Sequence, residues 1–78
     1  MQALRMYRKN AGYTIEGLAE ASGVAIPTIW KSEKGVNSPS VRTLERIVKP
    51  LGVTAAELLY AEEVLQSKAK VEGYALTA

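Results

Sequence analysis

The chain has 78 residues, room for one domain and a modest core, with ten Lys/Arg against eight acidic residues and a net charge of +2. It contains no His, Cys, Asp or Phe, so every side-chain carboxylate is a Glu. Disulfides, a thiolate nucleophile, Cys-based zinc sites and Ser–His–Asp chemistry are thereby excluded, and neither an enzyme nor a bound cofactor or metal is expected.

Helix signals recur every ten to fifteen residues, and no stretch reads as a strand. The first segment, Gln2 to Asn10, has Leu4 and Tyr7 at helical spacing and stops at Gly12. Thr14 is positioned to cap a second helix, Ile15 to Ser22, with Ile15, Leu18 and Ala19 on one apolar stripe. Gly23 then stands where a helix end favours a left-handed residue. A third helix is predicted from Ile26 to Lys34, with Pro27 in its first turn and Gly35 at its end. Ser40 can cap a fourth, which carries Val41, Leu44, Ile47 and Val48. Pro50 removes a hydrogen bond to the Arg46 carbonyl, so the last turn before Gly52 should be tight, kinked or frayed. Thr54-Ala-Ala-Glu57 is a capping box opening a fifth helix. Its stripe Leu58, Ala61, Leu65 and Ala69 predicts continuation to about Val71, with Gly73 as the stop.

Charge is unevenly spread along this all-α chain. Residues 1–54 hold eight Lys/Arg against four Glu, whereas residues 55–78 hold two against four. A basic front and an acidic tail suit a domain that binds a polyanion, followed by a segment with another task. No apolar run approaches the ~20 residues of a membrane span, and the start lacks the layout of a secretory signal. A cytoplasmic protein with no membrane partner is expected.

Two short helices joined at Gly23-Val24-Ala25 form a helix-turn-helix arrangement, in which the second helix can enter the DNA major groove. Around it stand Leu4-Arg5-x-x-Arg8, Gly12-Tyr13-Thr14, Leu18-Ala19, Gly23-Val24, Thr28-Ile29 and Glu33-x-Gly35. This string resembles the Xre/Cro–repressor family of phage and bacterial regulators. Pro39, Leu44, Leu51-Gly52-Val53-Thr54 and Leu58-Leu59 extend the likeness, which covers roughly residues 3–60.

The resemblance implies a compact five-helix, lambda-repressor-like helix-turn-helix domain over residues 1–60, then a C-terminal helical extension over 61–78. It implies a largely buried ion pair, Arg8–Glu33, which orients the third helix rather than touching DNA. Base edges would be read by Ile26, Pro27, Thr28 and Lys31, with Trp30 beside them. Lys31 can donate to guanine O6 and N7, while Ile26 and Pro27 can offer only apolar contacts, for instance to a thymine methyl.

This is a departure, since family members commonly carry Gln, Ser or Arg there, and Ile26 also admits a place in the core or against a partner. Trp30 replaces a small polar residue and Ser32 an apolar one. Trp30 is open to three readings: packing, a groove-edge contact, or a protein-interface anchor. It could also fold back over the space left at Ser32. Phosphates would be met by the backbone at Thr14 and Ile15, and by Lys34, Asn37, Ser38, Ser40 and Arg42.

The function implied is sequence-specific binding of duplex DNA by a transcriptional regulator, in the repressor sense, acting by occlusion; activation is equally compatible if a surface patch touches polymerase. A homodimer on an inverted repeat is expected, half-sites ~34 Å apart, with the tail either packed on its own domain or serving as the dimer contact. The alternative is an antitoxin or protein-interaction module, its Ile26, Pro27 and Trp30 face binding a toxin or other protein antagonist.

Overall fold

The computed structural model describes the backbone of residues 1–77 and the side chains of residues 1–67. Five helices follow one another: α1 Gln2–Asn10, α2 Ile15–Ser22, α3 Ile26–Lys34, α4 Val41–Leu51 and α5 Ala55–Thr77, with no strand among the described residues. The all-α, five-helix expectation therefore holds.

Three of the helices begin at a hydroxyl side chain that takes up an otherwise unpaired backbone donor. Thr14 accepts from the Gly17 N–H at 2.9 Å, Ser40 from Thr43 at 3.2 Å and Thr54 from Glu57 at 3.1 Å. The turn between α2 and α3 depends on Gly23, whose φ of 72° lies in the left-handed region that a β-carbon disfavours. Its N–H closes α2 onto the Ala19 carbonyl at 2.9 Å.

Each helix contributes one aliphatic side chain that is fully buried: Leu4, Leu18, Ile29, Ile47 and Leu58. Ala3, Ala19, Val24, Leu44 and Val48 complete the core, with Tyr7, Ile15, Leu51 and Leu65 among the half-buried residues around it. Burying side chains of this size stabilises by about 1.5–3 kcal/mol each, so the loss of any one is serious for a chain this short. α1 packs on α3 and α5, and α2 packs on α3 and α4, which leaves α3 held from two sides by its own inner face.

One helix end meets expectation and another departs from it. Pro50 does not break α4, which runs on to Leu51. The end is tight instead, because the Gly52 N–H reaches the Lys49 carbonyl at 3.2 Å, only three residues back. Gly73 does not stop α5, which continues to Thr77. A glycine within a helix costs about 1 kcal/mol relative to alanine, and it terminates the helix only where the chain turns left-handed.

The tail is not a separate body at its start. α5 crosses residue 60 without interruption, and Leu58, Ala61 and Leu65 of its stripe lie on the core. Ala69 falls outside the described side chains. Glu62 also caps α1, taking the Gln2 and Ala3 N–H groups at 3.2 Å each.

Candidate nucleic-acid interface

α3 has two faces with different chemistry. Inward point Ile29, with no exposed surface, and Ser32, at 1% exposure. Glu33 lies one turn from Ile29 and receives the guanidinium of Arg8 in a bidentate pair, Nε to Oε2 at 2.6 Å and Nη2 to Oε1 at 3.1 Å. The third nitrogen of Arg8, Nη1, donates to the Tyr13 carbonyl at 2.9 Å. One buried cation thus ties α1, the turn before α2 and α3 together, and its planar fork suits the carboxylate better than a lysine would.

Ser32 occupies a position where the resemblance implies a buried apolar residue. Its hydroxyl is satisfied by back-bonding to the Thr28 carbonyl at 2.7 Å, so the polar group is tolerated in the core. The amino group of Met1 donates to the Ser32 carbonyl next to it. Trp30 does not fold over this position. Residues two apart on a helix point to different sides, and Trp30 lines a hollow with Ile15, Arg5 and Lys34.

The outer face presents Ile26, Pro27, Thr28, Trp30 and Lys31, all exposed. Ile26 keeps 45% of its surface and Trp30 46%, so neither is a core residue. The Trp30 ring lies under the Lys34 ammonium, 5.9 Å from ring centroid to Nζ.

The structure brings two groups of the singled-out residues together, one on each side of α3. On one side Pro27, Thr28 and Lys31 share a hollow with Asn37, Ser38 and Ser40 of the loop into α4. On the other, Ile15 at the start of α2 meets Trp30 and Lys34. Ile26 and Arg42 are exposed but line neither hollow.

Local electrostatics favour an anion near these helix starts. α3 begins at Ala25 with no side-chain cap, and neither α3 nor α4 has an acidic residue in its first turn. Arg42 instead puts a positive charge near the positive end of the α4 dipole, an arrangement that a bound phosphate would relieve. Among the described residues no group of His, Cys, Asp or Glu is arranged to hold a metal ion, and no helix is long and apolar enough to cross a membrane.

Sequence reasoning missed Glu62. Its link to α1 spans about sixty positions, and an acidic residue in an alternating-charge helix carries no local sign of such a partner.

A model of the helix-turn-helix domain family matches residues 2–60. The HTH-type transcriptional regulator SlrR of Bacillus subtilis is 41% identical over 66 residues, 83% of this chain and 43% of that protein. SinR of Bacillus subtilis, another HTH-type transcriptional regulator, is 36% identical over 59 residues, 74% of this chain and 53% of its own length. The uncharacterized HTH-type transcriptional regulator YazB of the same organism is 33% identical over 60 residues, 77% of this chain and 87% of that protein. The chain therefore spans about half or less of SlrR and SinR, and most of YazB. No solved structure matches the chain.

Proposed function

The chain belongs to the Xre-type helix-turn-helix family, and we propose on that premise that it regulates transcription by binding duplex DNA, with α3 in the major groove. The carrying observation is the continuous exposed surface from Pro27, Thr28 and Lys31 to Asn37, Ser38 and Ser40. It pairs donors that can reach base edges with donors that can reach the adjoining backbone. Lys31 is the base reader in this scheme, addressing guanine, while Ile26 and Pro27 contribute contact to thymine methyls. The backbone N–H groups at the start of α2 and the hydroxyls around the start of α4 face phosphates. No cofactor is needed.

The finer reading is a repressor that occludes a promoter as a homodimer on an inverted repeat. One domain of this size offers few base contacts, so two copies about one helical turn apart supply the affinity that a single copy lacks. In this reading the C-terminal extension, residues 61–78, supplies the contact between copies.

Selection of bound duplexes from a random library at near-physiological salt tests this. An enriched inverted repeat is expected, and its half-site spacing reports the dimer geometry. Recovery of unenriched DNA that is lost on raising salt would overturn the reading, leaving only a basic surface. A second reading, a protein partner at this face, is favoured by the exposure of Ile26 and Trp30 together. A toxin or other antagonist would seat on those two side chains.

A further inference from the structure

On the Trp30 side of α3 the hollow lined by Ile15, Trp30, Arg5 and Lys34 runs into a second one that adds Lys9 and Gln2 of α1. Arg5, Lys9 and Lys34 are all exposed. Glu33 borders both hollows, yet its carboxylate is taken up by Arg8 and its side chain is only 5% exposed. The ion pairs among the described residues are Met1–Glu62 and Arg8–Glu33, and neither neutralises any of these three cations.

Two of the three have an ordinary explanation. Lys9 and Lys34 stand in the last turns of α1 and α3, where a positive charge complements the helix dipole. Arg5 lies mid-helix and has no such reason. Folding places it on one face with two like charges, and their summed positive potential favours an anion there. The Trp30 ring gives that face an apolar wall, with Ile15 of α2 beside it.

We infer that Arg5 and Lys9, together with Lys34, form a second grip on the DNA sugar-phosphate backbone. It lies across α3 from the loop carrying Asn37, Ser38 and Ser40. The inference rests on the DNA-binding reading above and extends it to α1, a helix with no residue at the base edges. Two grips, one on each side of α3, fix the helix against rocking in the groove, which a single flank cannot do. The grip contacts phosphate and is indifferent to sequence.

The test is the salt dependence of affinity, measured on the full chain with both a selected duplex and a random one. Each phosphate contact contributes about 0.9 to the slope of log affinity against log salt. In Arg5→Gln/Lys9→Gln the loss of affinity between about 50 and 200 mM salt should shrink by about 12-fold if both contacts go. The selected sequence should not change. Arg46→Gln/Lys49→Gln, which removes the same charge from exposed positions on α4, should leave the slope near the wild-type value. Arg5→Lys/Lys9→Arg should keep it as well.

An unchanged slope in the first variant, with its thermal unfolding midpoint also unchanged, overturns the grip, as does an equal change in the α4 control. Because the slope can be read on random duplex, failure to select a sequence would sink the regulator reading and leave the grip to be judged by itself. No binding to any duplex sinks both.

Discussion

The inner and outer faces of α3 obey different rules, although they alternate along the same nine residues. Inside, every polar atom has a partner: Glu33 is met by Arg8 and the Ser32 hydroxyl by Thr28. No buried side-chain nitrogen or oxygen among the described residues lacks a hydrogen bond. Outside, Ile26 and Trp30 are left half in water and Lys31 has no ion-pair partner among the described residues. Folding accounts for the inner face. It gives no reason for two large apolar side chains beside an unpaired lysine, and surfaces that folding does not explain are where partners bind.

The largest effect should come from breaking the inner face. Glu33→Ala leaves the Arg8 guanidinium buried with one carbonyl for company and should destabilise the fold by about 3–5 kcal/mol. A single-domain protein of this size has little more than that in total, so the variant should be largely unfolded at 37 °C by circular dichroism. Replacing both partners with apolar residues of similar volume should recover much of the loss, because no charge is then stranded. If Glu33→Ala melts with the wild type, the pair is not what orients α3. The two faces would then differ less than their chemistry suggests.

Lys31→Ala reverses the pattern. Stability should stay within about 0.5 kcal/mol, since the side chain is exposed. Affinity for the preferred duplex should fall by about 1–3 kcal/mol, with preference relaxed at one base pair. Titration of specific and random duplexes separates the two possible roles. Equal losses on both would assign Lys31 to phosphate and leave Thr28 as the polar base reader of the outer face.

What could be read from the sequence follows the range of the interaction. The hydroxyl caps Thr14, Ser40 and Thr54 act over three residues, so composition and spacing revealed them, and the helix starts with them. Gly23 and Gly35 likewise mark ends because the left-handed backbone there is a local demand. The Arg8–Glu33 pair joins positions 25 apart and was accessible only through likeness to a family. Glu62 capping α1 has no local trace at all.

Local rules misled where more than one outcome satisfied them. Pro50 closes its helix tightly, one of the outcomes its missing N–H allows, but Gly73 in an otherwise regular stretch does not turn the chain. Ser32 read as a vacancy because its residue type is polar. Its hydroxyl closes on the turn below it, which is a matter of rotamer rather than of sequence. The exposed half of the candidate site was legible as a face, through helical spacing, but the approach of Arg5 to Trp30 required the packing of α1 on α3.

The smallest effect is also the one that separates the two readings of the outer face. Ile26 is a little under half exposed, so Ile26→Ala costs less than truncating a core aliphatic and should lower the unfolding midpoint only modestly. If its side chain meets a thymine methyl, the three carbons lost should weaken the preferred duplex by about 0.5–1 kcal/mol, two- to five-fold. Replacing that thymine with uracil, which lacks the methyl, should weaken wild-type binding by a similar factor and leave Ile26→Ala unaffected. Non-additivity of this kind identifies a direct contact, since two independent perturbations would multiply. If neither change alters affinity, nor Trp30→Ala, while Lys31→Ala does, Ile26 and Trp30 contribute nothing to reading DNA. An apolar pair of that size beside a working recognition surface would then belong to a protein that binds there, and competition with duplex for α3 would be its means of control.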